Sequence, residues 1–283
     1  MNDEESFSIH GERVIRPQPG LVAFNFTELW RFRELFWLLA WRDILVRYKQ
    51  TYLGVAWAVL QPVLTTVIFV ALNRVAKFST NGAPAPVLIF AALLPWQLFV
   101  NAITESSNSL VASASIISKV YFPRLIIPAS AVLSGTLDFL IGLAILGGLM
   151  AIYHVPLRAE LLLLPVFFGL CFLTAFAAGV WLSALNVKYR DVKYVVPFFT
   201  RIGLYVSPVW FIARLVVPAK WLTLYLTLNP VAVVMEGFRW CVFGPGFEPN
   251  WPGFIAGLAA TLLTLLTGLV YFRQTERTFA DII

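Results

Sequence analysis

Histidine, cysteine and charge are scarce in this chain, and each scarcity removes a class of function. The only histidines are His10 and His154, which have no carboxylate or thiol neighbours at a metal-binding spacing, so no metal centre is expected. Cys171 lies inside an apolar run and Cys241 reads as a loop residue, so the two are not expected to pair. Charged residues make up 13% of the 283 positions, against about 25% in soluble domains. No GxxxxGK(S/T) phosphate loop occurs, and the polar stretches are too short for a nucleotide-binding domain, so no ATP or Mg site is expected here. There is no nucleophile elbow and no pair of carboxylates on one helix, which argues against catalysis. The first 28 residues show no apolar core followed by a small-residue cleavage site, so no signal peptide is expected.

What is abundant is apolar sequence. Hydrophobic residues make up 59% of the chain and the mean hydropathy is +0.80. Six long apolar runs, each of roughly 20 residues, can cross a hydrocarbon core about 30 Å thick. The expectation is an all-α integral membrane protein with six transmembrane helices. The formal charge of +6 is then a matter of orientation rather than of nucleic-acid binding.

In order, residues 1–28 read as a polar tail broken by Pro17, Pro19 and Gly20. An amphipathic interfacial helix follows over 29–50, and the membrane domain occupies 51–275. Its spans are expected at 52–72, 87–104, 125–153, 161–185, 195–217 and 252–272, with a weakly polar segment at 105–124 and a compact basic loop at 186–194. Within 218–247, Asn229 and Pro230 divide an apolar stretch into halves too short to cross alone. This predicts a re-entrant helical hairpin or a pair of interfacial helices, closed by an exit turn at Gly244 to Pro249. Residues 276–283 form a charged tail. Fourteen of the 21 lysines and arginines fall on the side of the termini against six on the other, which places both termini in the cytoplasm.

On the interfacial helix Trp30, Trp37, Trp41, Ile44 and Tyr48 share one face, and Asp43 is spaced to pair with Arg47. Such a Trp- and Arg-rich helix suits the membrane-water boundary. Arg42, Arg47 and Lys49 stand where an anionic lipid headgroup would arrive; they serve either phosphate recognition or anchoring. A lone carboxylate at Asp138, near the middle of the third span, costs roughly 2.5 to 3.5 kcal/mol to insert and so must face protein or water. Arg201 and Ser134 are its expected partners, in either a helix-helix contact or a substrate path. Trp57 and Phe69 in the first span, and Phe198, Phe199, Tyr205 and Trp210 in the fifth, either stack on sugar rings along a conduit or face lipid. Pro62 and Pro208 predict bent helices around a cavity.

The stretch RDILVRYKQTYLGVAWAVLQPVL at 42–64, the segment ISKVYFPR at 117–124, the loop NVKYRDVKY and the LNP break together resemble the membrane subunits of ABC-type polysaccharide exporters. The likeness is nearest to O-antigen, or lipopolysaccharide, transport permeases. It implies a homodimer in the bacterial inner membrane, bound to two copies of a separate ABC ATPase chain that carries the ATP and Mg. The implied cargo is a glycan on an undecaprenyl diphosphate anchor. By the same resemblance Arg42, Arg47, Tyr48, Lys49, Gln50, Tyr52 and Gly54 belong to a lateral lipid entrance. Trp57, Phe69, Asp138, Phe198, Phe199, Arg201, Tyr205 and Trp210 would line the conduit. Asp43, Ser113, Ser115, Lys119, Tyr121, Pro123, Arg124, Arg190 and Asp191 would couple to the ATPase. Trp221, Tyr225, Asn229, Pro230, Glu236 and Arg239 would form an external gate. The alternatives are a teichoic acid, capsule or drug exporter, a membrane transferase acting on polyprenyl-linked sugars, and a passive channel or scaffold.

Overall fold

A computed structural model describes residues 26–48, 54–276 and Phe279, and every regular element among them is helical. The amphipathic region forms two helices, α1 (Phe26–Arg31) and α2 (Arg33–Tyr48), rather than the single helix expected. Leu39 and Ala40 are the buried face of α2, while Trp30, Trp37 and Trp41 point outward. The helix thus presents apolar side chains both to the protein and away from it.

Among the described residues five helices are long and apolar enough to cross a membrane: α3 (Gly54–Ala76), α4 (Ala85–Ala112), Ile126–Ile152, Ala159–Lys188 and α13 (Trp251–Glu276). In α4 72% of the apolar window is buried, against 22–28% in the other four, so α4 is the axis on which the bundle is packed. It runs eight residues beyond the expected end at 104, because its serines hide their own polarity. The Ser107 and Ser109 hydroxyls donate to the carbonyls of Thr104 and Ser106, and that of Ser106 donates to Pro128 O. Only one further turn, α5 (Ala114–Ile117), forms in the remainder of the 105–124 segment.

The third span is α6 (Ile126–Ala131) joined to α7 (Thr136–Ile152) by a 3-10 turn at Val132–Gly135. The fourth opens with a 3-10 turn at Ala159–Leu163 and continues as α8 (Leu164–Lys188). Small residues let α8 lie close against α4: a Cβ on Gly179 would come within 2.5 Å of Ser106 Oγ. Asn186 fastens the same seam, donating to Ser107 O at 2.9 Å and Asn108 Oδ1 at 3.1 Å. Cys171 sits in α8, and Cys241 is helical rather than in a loop; both are buried free thiols.

The expected continuous fifth span does not form. Helix α9 (Val192–Val206) stops after 15 residues because Pro208 holds Ser207 in an extended conformation, with ψ at 152°. An irregular stretch then leads to α10 (Ala213–Val216). Its carbonyls are taken up by side chains from elsewhere. Tyr225 Oη donates to Val206 O at 2.8 Å and Asn73 Nδ2 to Trp210 O at 2.8 Å. The Arg239 guanidinium donates to Val209 O and Phe211 O, both at 2.8 Å, and to Leu88 O at 3.2 Å.

Helices α11 (Ala219–Leu228) and α12 (Pro230–Phe243) meet at 109° across Asn229, forming the hairpin that the LNP break predicts. Pro230 occupies the first turn of α12, where its missing N–H costs nothing. The open ends of the hairpin meet, since Arg214 donates to Gly246 O. Gly244 ends α12 at φ +67°, a backbone that favours glycine, with Arg158 and Glu160 packed against it. The vertex instead lies beside the α9 break, where Asn229 Nδ2 donates to Ser207 Oγ at 2.9 Å. The hairpin therefore enters and leaves at one end of the bundle. At the opposite end α2, Phe122, Val187, Phe272 and Phe279 share a cluster through Leu39.

Candidate functional site

Where α2 ends, a cavity of about 460 Å³ opens between five helices. Arg47 and Tyr48 of α2, Trp57 and Gln61 of α3, Trp96, Gln97 and Asn101 of α4, Asp138 of α7, and Thr200 and Arg201 of α9 line it. The 3-10 turn before α7 delivers Asp138 to this wall in the first turn of that helix. Its carboxylate is engaged through both oxygens: Oδ1 accepts from the Tyr48 hydroxyl, and Oδ2 lies 3.3 Å from Arg47 Nε. Burial and the Asp138 contact push the Tyr48 phenol above its ordinary range.

These partners differ from those the sequence suggests. Arg201 and Ser134 form no ion pair or hydrogen bond with Asp138, although Arg201 shares the cavity. Nor does Asp43 pair with Arg47, because Arg42 already reaches Asp43 Oδ1 through Nε at 2.9 Å and Nη2 at 2.8 Å. Side chains of Arg47 and Asp138 remain 33% and 22% exposed. Exposed ion pairs contribute at most about 1 kcal/mol, so a pair this open holds little of the fold together. Its position matters more.

The residues expected to line a conduit divide. Trp57, Asp138 and Arg201 reach the cavity, but Phe69 does not: it is buried in the core against Ile89, Trp96 and Met235, and stacks on Trp210 with centroids 6.4 Å apart. Phe198, Phe199 and Tyr205 project outward from α9. Lys49, Gln50 and Tyr52 lie outside the described residues, and Gly54 begins α3. Residues that sequence reasoning passed over complete the wall. Gln61 and Thr65 follow the expected Trp57 at four-residue intervals on α3, and Gln97 and Asn101 stand four apart on α4. That polar helical stripe inside apolar runs was the available signal.

Residues 34–243 match the family described as ABC-2 type transporter. The chain belongs to this transporter family. An O-antigen export system permease protein RfbA of Myxococcus xanthus is 26% identical to it over 260 residues, 90% of this chain and 97% of that protein. Two proteins of the same description from Klebsiella pneumoniae are 25% and 26% identical over 253 and 251 residues, each spanning 88% of this chain and 95% of its own length. The chain is thus a multi-pass transport permease rather than an enzyme, and its family implies an ATPase partner.

In this ABC-2 permease the remaining site residues fall into two groups at opposite ends of the bundle. Asp43 and Ser113 share a cavity of about 100 Å³ with Arg42, Glu105 and Ser130. Lys119, Tyr121 and Arg124 line another of about 240 Å³ just beyond α5. Ser115, Arg190 and Asp191 are exposed, the last two in the turn between α8 and α9, and Pro123 is half-buried. Arg124 also donates to Glu276 O and lies over the Phe279 ring, tying this end to α13. In the hairpin, Trp221 is exposed, whereas Tyr225, Asn229 and Arg239 hold the α9 break and Glu236 is buried one turn from Arg239. At the exit turn the Gly246 amide donates to Glu248 at 3.0 Å, and backbone amides hold that exposed carboxyl below its usual range.

Proposed function

We propose that this permease exports an O-antigen glycan on an undecaprenyl diphosphate anchor across the bacterial inner membrane, as a homodimer carrying two copies of an ABC ATPase. The observation that carries this reading is the cavity at the end of α2. Two arginines, amide side chains and two tryptophans converge there, a composition suited to a phosphate-bearing headgroup with a sugar beside it. The names of its relatives support the cargo class. The excess of cations near the termini supports a cytoplasmic position for both ends. Apolar side chains left uncovered on α3 and α9, among them Val67, Ile68, Phe198 and Ile202, support pairing with a second copy. Hydrolysis on the partner would be transmitted through α2, α5 and the turn at 189–191, and export would follow from two states with different contacts.

The test is genetic. Deleting this chain should remove the polysaccharide from the cell surface while lipid-linked glycan accumulates inside, and restoring the wild type should reverse both. Unchanged surface polysaccharide would sink the reading.

A further inference from the structure

We propose that the α2 cavity is a phosphate-anion site in which Asp138 is the resident counter-ion, competing with the phosphate of an incoming lipid for Arg47, and that Arg201 supplies the second cation. The inference rests on the lipid-linked cargo proposed above and specifies how that cargo is received.

Arg47 is aimed at the cavity by exclusion. The carboxylate one turn earlier on its own helix, Asp43, is occupied by Arg42, so Arg47 crosses instead to α7 and meets Asp138. Asp138 presents one oxygen to a guanidinium and the other to a phenol, which is how two oxygens of a phosphate would be held at the same place. Arg201 faces the cavity from α9, is exposed, and has no acidic partner among the described residues. Among the described residues Asp138 is the only carboxylate on the lining against two guanidiniums, which leaves a positive surplus for an anion.

Gln97 and Asn101 add neutral donors on the α4 wall. Exchange is physically easy. Replacing a carboxylate by a phosphate keeps Arg47 paired with an anion, and the Asp138 carboxylate it releases is part-exposed and can be met by water. Tyr48 can donate to either anion.

The experiment uses the full transporter in phosphatidylcholine nanodiscs, titrated separately with inorganic pyrophosphate, with undecaprenyl diphosphate and with neutral undecaprenol. Asp138→Asn removes the competitor and should tighten diphosphate binding about tenfold. Arg201→Gln should weaken it about tenfold. Arg47→Gln should weaken it and abolish the effect of adding Asp138→Asn. A measurement on the wild type keeps the idea testable if a variant misfolds. Carbodiimide labelling of Asp138, read by mass spectrometry, should rise when diphosphate releases it from Arg47 and stay constant with undecaprenol.

A response to both phosphate probes marks a site open to soluble anions. A response to the lipid alone marks a headgroup site, and either supports the proposal. Unchanged or weaker binding by Asp138→Asn, an Asp138 effect that persists without Arg47, or equal binding of undecaprenol overturns it. The cargo reading fails separately: diphosphate binding with these responses in a chain that exports no glycan leaves the anion site standing and removes the glycan.

Discussion

The Arg239 guanidinium donates to the carbonyl oxygen of Val209 at 2.8 Å, so a side chain of α12 closes a break in another element. Within a membrane an exposed, unsatisfied carbonyl has no water to turn to. The interruption after Val206 therefore depends on imported donors, and Arg239 supplies two of its bonds as well as one to Leu88. Replacing Arg239 by Met should cost about 3 kcal/mol or more, since each buried polar group left unmet costs about 1–3 kcal/mol. Arg239→Lys should fall between, because one ammonium does not reproduce the fork. Thermal unfolding of the detergent-purified chain measures both.

Tyr225→Phe removes the bond from Oη to Val206 O. The expected loss is about 1 kcal/mol, seen as a small drop in melting temperature without change in assembly. A loss as large as that of Arg239→Met would mean that the break is held differently.

Gly237 faces the Phe167 ring so closely that a Cβ would lie 1.9 Å from Cε1. In an open helix Gly→Ala gains up to about 1 kcal/mol. Here Phe167 is itself buried against Trp240 and Phe254, so the ring has nowhere to go. Gly237→Ala should destabilise by about 1–3 kcal/mol as overpacking does, whereas the same change at Gly147, which has no neighbour within 4 Å, should not.

The two faces of α2 can be separated. Leu39 is 3% exposed and Trp41 62%. Leu39→Ala should cost at least about 2 kcal/mol through a cavity. Trp41→Ala should leave stability in detergent nearly unchanged but weaken the contact of α2 with the bilayer surface, measured as a rise in collisional quenching of a probe on α2 by a water-soluble quencher.

Long apolar runs made most of the fold legible, because span length follows from bilayer thickness, and the LNP break announced the hairpin. What stayed hidden was set by distant partners. The serines after 104 look like the end of a span, and only their bonds to backbone carbonyls and to Pro128 explain why α4 continues. Pro208 looked like a kink in the fifth span. It ends the helix because Arg239, Tyr225 and Asn73 accept the task of satisfying the backbone beyond it. Asp138 was recognisable as unusual, yet its partner sits ninety-one positions earlier, and local spacing favoured Asp43 for Arg47. The cavity wall mixes one stripe from each of several helices, which no single stretch of sequence reveals.

The most direct measurement is mild-detergent co-purification of the tagged chain from its native membrane, with proteomics of the bound proteins and analysis of the bound glycolipid. The account predicts a stoichiometric P-loop ATPase together with a polyprenyl-diphosphate-linked glycan. Recovery of the chain with neither would contradict it.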